Sequence, residues 1–84
     1  MVRVHGNALK HGLTVGEVAY AWENPIRCRQ RRGTDDPPLW ISVGSIPDGR
    51  FAELIAFLDI DGAWCVFHAK VPPTKKFKRE LGWR

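Results

Sequence analysis

His68 and Lys70 stand two residues apart in Ala63–Lys70, a run with the make-up of a β-strand. Alternate residues of a strand point the same way, which puts their Cα atoms roughly 6.5–7 Å apart, about the spacing of a phosphate and its neighbouring hydroxyl. An imidazole takes and gives protons near neutral pH, and an ammonium holds phosphate. Together they make up the kit for metal-free RNA cleavage, in which a 2′-hydroxyl attacks the adjacent phosphate. A second reading stays open beside it: a strand-end histidine next to a solvated lysine.

The other basic residues are candidates for holding a polyanion. Arg27, Arg29, Arg31 and Arg32 crowd six positions. On an extended strand the three odd-numbered ones line one face, suited to a phosphate backbone or an acidic partner. They equally suit a charged edge strand that discourages aggregation. Lys75, Lys76, Lys78 and Arg79 belong to a short basic helix that binds phosphate or partner, or is simply solvated. Lys10-His11-Gly12 offers a further acid/base or phosphate contact. Arg50, after the turn Pro47-Asp48-Gly49, can return to a groove. Trp40, Trp64, Trp83 and Phe57 are base-stacking candidates or core. Asp35, Asp36, Asp59 and Asp61 lack metal-loop spacing and read as turn formers. No P-loop, GxGxxG, HExxH or nucleophile elbow occurs.

The charge is segregated along the chain. Residues 1–34 carry six basic and two acidic side chains, net +4; residues 35–69 are net −5; residues 70–84 are net +5. A basic–acidic–basic order suggests a polyanion surface built from the two ends. Eighty-four residues at 44% hydrophobic allow one globular domain, 1–84, with a thin core. No apolar run is long enough for a membrane span, and the polar start does not read as a signal peptide. Cys28 and Cys65 form neither a CxxC nor a disulfide framework. The expectation is a cytoplasmic protein without metal, cofactor or membrane partner.

Local signals place the elements that must position these groups. Thr14 and Glu17 form a capping box and Leu13 with Val18 a hydrophobic staple, predicting a helix at about 14–24 with Val15, Val18, Ala19 and Trp22 on its apolar face. Asn24-Pro25 stops it. Strands follow at Ile26–Arg32, Leu39–Ile46, Phe51–Ile60 and Ala63–Lys70, joined by turns at Pro47-Asp48-Gly49 and Asp61-Gly62. Thr74 caps a second helix over about 75–81, closed by Gly82. The predicted fold is α+β: an N-terminal helix on a three- to four-stranded antiparallel meander, with a short C-terminal helix. Parity assigns Ala52, Leu54, Ala56, Leu58 and Ile60, with Ala63, Cys65, Phe67 and Ala69, to the core under the first helix. Trp64, Val66, His68 and Lys70 then share the opposite face.

Several motifs together resemble a family. Asn7…Lys10-His11-Gly12-Leu13-Thr14, a short helix and Asn24-Pro25 look like the opening of BrnT-type toxins. Val43-Gly44…Asp48-Gly49-Arg50 resembles their second signature. His68-Ala69-Lys70, then Thr74 and a basic helix, resembles their closing stretch. The similarity covers most of residues 7–81. It departs from the family pattern at Phe77, where glutamate is typical, at Leu81, often aromatic, at Lys70 for arginine and at His68 for serine. The resemblance implies a RelE-like fold, ribonuclease activity and neutralisation by a small antitoxin. On this reading His68 is the acid or base, Lys70 and Arg50 hold the scissile phosphate, and Lys10, His11, Arg27, Arg29, Arg31, Lys75 and Lys78 bind RNA. The rival is a non-enzymatic module that binds nucleic acid or protein. A homodimer and a toxin–antitoxin hetero-oligomer both remain open.

Overall fold

Thr14 and Glu17 close the capping box: the Glu17 amide donates to Thr14 Oγ1 (3.1 Å) and the Thr14 amide to Glu17 Oε1 (2.9 Å). The computed structural model describes Val2–Gly82; Trp83, one of the stacking candidates, lies outside the described residues. Helix α1 runs Val15–Glu23 and ends at Asn24, whose side-chain amide donates to the Tyr20 carbonyl (2.8 Å). Four strands follow: β2 (Pro25–Gln30), β3 (Trp40–Ser45), β4 (Phe51–Leu58) and β5 (Trp64–Lys70). Helix α2, Lys75–Leu81, is capped by Thr74 and closes at Gly82, left-handed at φ +70°.

The chain opens with a strand, which corrects the helix-first expectation. β1, Val2–Val4, precedes a 3-10 turn at Gly6–Leu9 and pairs parallel to β5, with Val4 opposite Val66. The sheet is therefore five-stranded and mixed, in the order β1-β5-β4-β3-β2, its other pairings antiparallel. Three residues are too few to show a strand period, so β1 leaves almost no local trace. Arg3 anchors it by bridging Asp59 (2.7 Å) and Asp61 in the β4–β5 turn. The hydrogen bond from Arg3 holds the Asp61 carboxyl below the ordinary carboxylate range.

The helices lie on opposite faces of the sheet. Leu13, Val18 and Ala21 pack with Ala52, Leu54, Ala56, Val66 and Ala69 on one side. Phe77 and Leu81 of α2 pack with Ile41, Val43 and Ile55 on the other. Trp22 is half-buried against Trp64 (ring centroids 5.2 Å), which meets Trp40 edge-on at 5.9 Å. Val15 departs from the expected buried stripe, being 54% exposed. Helix α1 approaches the sheet most closely at its other end. A Cβ on Gly44 of β3 would fall 1.9 Å from the Ala21 carbonyl oxygen, so only glycine lets the helix seat there.

β5 changes face part-way along. Opposite β4, Ile55 pairs with His68 but Ala56 pairs with Val66, leaving Phe67 as the extra residue of a bulge. One inserted residue reverses parity beyond it. Val66 thus joins Ala69 under α1, while Phe67 packs on the α2 side with His68, which splits both sets assigned from simple alternation. Leu58 and Ile60 also leave the predicted core set, at 50% and 102% exposed.

Gly44→Ala should destabilise the protein by about 1–3 kcal/mol or more through overpacking, lowering Tm by roughly 4–8 °C per kcal/mol. Gly16→Ala, where a Cβ meets only Thr14 Oγ1 at 4.0 Å, should be neutral or raise stability by up to about 1 kcal/mol. Thermal melts of the two variants check this contrast.

Candidate active site

Glu53 sits in the middle of the sheet at 5% exposed, on the face that carries α2. A carboxylate there must be fully partnered, because burying an unpaired charge is costly. Its Oε2 meets His68 Nε2 at 2.8 Å, and its Oε1 accepts the backbone N–H of Thr74 at 2.7 Å. An ionised carboxylate only accepts, so in that pair Nε2 carries the proton and the imidazole Nδ1 is left for proton transfer. Thr74 is also the cap of α2, its hydroxyl accepting from the Phe77 amide (3.2 Å). One buried side chain therefore orients His68 and seats the start of α2.

The bulge is what brings a second histidine in. β1 and the 3-10 turn run beside β5, and the His5 amide donates to the Val66 carbonyl at 2.8 Å. Asn7 Nδ2 donates to the carbonyl of the bulged Phe67 at 2.9 Å. This fastening carries the following turn, closed by Gly12 at φ +90°, round the sheet edge. His11 meets the His68 ring edge-on, centroids 5.9 Å apart at 76°. Lys70, half-buried, is the cross-strand neighbour of Glu53. The assembled group is His68, His11, Glu53 and Lys70, with exposed Lys10 beside His11 and exposed Lys75 just beyond Thr74. It joins two proton-transfer groups to cations that attract phosphate, an arrangement suited to acid/base work on a phosphodiester.

The other candidates lie elsewhere. Arg50 Nε bonds Asp48 Oδ2 (2.6 Å), and its Nη2 stands 3.8 Å from Glu17 Oε2. The Arg50 backbone N–H, and then its guanidinium, hold the Asp48 carboxyl below its ordinary range. The arginines of β2 turn toward the end of α2. Arg27 donates to the Gly82 carbonyl (3.2 Å), Arg29 to the Glu80 carbonyl (3.4 Å), and Arg31 grips the Glu80 carboxylate with two bonds of 2.6 and 3.0 Å. A helix end leaves carbonyls without intrahelical donors and carries partial negative charge, and three arginines on one strand face satisfy both needs. Lys78 lines a cleft with Arg50. Cys28 is exposed, and partial desolvation pushes its thiol up from the ordinary value. Among the described residues no group of three or more His, Cys, Asp or Glu is arranged to hold a metal ion.

Glu53 and Asn7 are the functional residues that sequence reasoning missed as such. Glu53 had one signal, an acid alone among apolar neighbours on a strand whose alternation otherwise predicts burial. Asn7 entered only through the family resemblance. No family model, curated protein or solved structure matches the chain.

Two outcomes follow from this geometry. Glu53→Gln keeps an acceptor for Thr74 but turns an amide N–H₂ toward His68, so the His68 proton should move from Nε2 to Nδ1, read from imidazole ¹⁵N shifts. Replacing Arg27, Arg29 and Arg31 together by alanine should loosen α2, seen as faster amide exchange over residues 77–81 while β3–β5 stay protected.

Proposed function

We propose that the chain is a metal-independent, RelE-like ribonuclease of toxin type, held in check by a small antitoxin. The observation that carries this reading is the pairing of His68, oriented by buried Glu53, with His11 at the same edge of β5. The resemblance to BrnT-type toxins supports it as well, since the His11 and His68 rings that meet belong to two of the segments that carry that resemblance.

The proposed reaction needs no group beyond the chain and the RNA. One imidazole takes the proton of a ribose 2′-hydroxyl as O2′ bonds to the adjacent phosphorus. The other gives a proton to O5′ as the P–O5′ bond breaks, leaving a 2′,3′-cyclic phosphate and a 5′-hydroxyl. His68 is the natural base, because its Nε2–H donates to Glu53 and leaves Nδ1 with its lone pair. Lys70 offsets the negative charge that builds on the phosphoryl oxygens. Lys10 and Lys75 draw the backbone in.

Purified protein should cleave single-stranded RNA, alone or on ribosomes, to 2′,3′-cyclic ends. EDTA should have no effect, and a 2′-deoxy residue at the cut site should block the reaction. His68→Ala should lower the rate roughly 10²–10⁴-fold, at a cost in stability because Glu53 loses a partner, and His11→Ala should lower the rate by the same order with the fold intact. Binding should weaken steeply with salt through counterion release. Induction in cells should arrest growth unless a cognate antitoxin is co-expressed. Protein that binds RNA without cutting it under any of these conditions is the binding module instead.

A further inference from the structure

The sheet face that holds His68 and Glu53 continues into a cleft that the proposed reaction does not use. Phe51 lies two residues before Glu53 on the same face of β4, and Lys70, opposite Glu53, runs directly into Val71-Pro72-Pro73. Arg50, Phe51, Val71, Pro72, Pro73 and Lys78 line a space of about 470 Å³, within the usual range of small-ligand sites. Its surfaces are of two kinds. Phe51, 39% exposed, and a proline corner supply apolar lining, and Arg50 and Lys78 supply basic lining.

We infer that this cleft is a nucleotide subsite, which takes the base of the ribonucleotide adjoining the cleavage point. The inference rests on the ribonuclease reading above and names which part of the RNA is gripped. A nucleotide joins a flat π-face to an anion at one end, and the cleft offers walls for the first and cations for the second. Its position decides the register. Lys70 stands roughly 7 Å along the strand from His68, and Val71 follows it, so a chain crossing the imidazoles at one phosphate reaches the cleft with its next nucleotide. Among the described residues Arg50 is held by Asp48 and, more distantly, Glu17, and all three side chains reach solvent. Exposed pairs of this kind contribute little to stability, so the guanidinium is able to turn to a phosphate.

Base stacking on an aromatic side chain is worth roughly 5- to 150-fold in affinity. The test uses short RNA substrates with a single abasic residue placed at each position in turn. Wild-type protein should show a KM raised tenfold or more when the missing base adjoins the cut on one side, with kcat little changed and smaller effects elsewhere. Phe51→Leu, which keeps an apolar side chain there and loses the π-face, should raise KM on intact RNA and erase that positional dependence. Arg50→Ala should raise KM without changing which position matters. Equal tolerance of base loss at every position, or a Phe51→Leu enzyme that discriminates like wild type, overturns the subsite while leaving the ribonuclease reading in place. Titration with an uncleavable oligonucleotide, 2′-deoxy at the cut site, separates the two further. Amide shifts at Phe51, Val71 and Lys78 support the subsite even in a protein that does not cleave, and shifts confined to other surfaces overturn it.

Discussion

Glu53 places a buried carboxylate at the centre of the sheet, and both of its oxygens are used. One holds the imidazole of β5; the other holds the backbone at the cap of α2. Removing either partner would leave a buried acceptor unsatisfied, a loss of about 1–3 kcal/mol and more for a charged group. The interaction therefore works in two directions. It fixes His68 in one orientation and tautomer, and it determines where α2 begins against the sheet. The site and the second layer of the fold share a single side chain.

The far end of α2 is held by different chemistry with the same logic. A seven-residue helix is too short to be stable alone, so it depends on Phe77 and Leu81 in the core and on partners for its terminal carbonyls. β2 supplies those partners through Arg27 and Arg29, and Arg31, just beyond the strand, holds the Glu80 carboxylate. A strand that looks like a polyanion track thus acts in good part as a brace. The segregated charge of the chain also closes on itself: Arg3 with Asp59 and Asp61, Arg50 with Asp48 and Glu17, Arg31 with Glu80. Lys10, next to His11 in the chain, Lys70, opposite Glu53, and Lys75, next to Thr74, take part in none of these pairs.

Much of the local structure is legible in the chain. The capping box at Thr14 and Glu17, the stop at Asn24-Pro25, the turns at Pro47-Asp48-Gly49 and Asp61-Gly62, and the cap at Thr74 each express a preference of a few adjacent residues. They set α1, the strands β2–β5 and α2 to within a residue or two, and with them the α+β class. The shared direction of His68 and Lys70 is equally local, since both lie on the same side of the bulge. Four arginines in six residues announce a strongly charged strand, though not what it touches.

What the tertiary structure alone decided concerns register and layers. β1 is three residues long, and its parallel place beside β5 depends on partners some sixty positions away in the chain. The bulge at Phe67 costs one residue of alternation and reverses which side chains of β5 meet α1, which no periodic pattern can reveal because the pattern itself is what breaks. The same bulge presents the carbonyl that Asn7 grips, and so decides that His11 meets His68. The sequence alone determines which backbone conformations its neighbouring residues prefer. Which distant groups then face each other depends on how whole strands align, and a shift of one residue in that alignment exchanges one face of the sheet for the other.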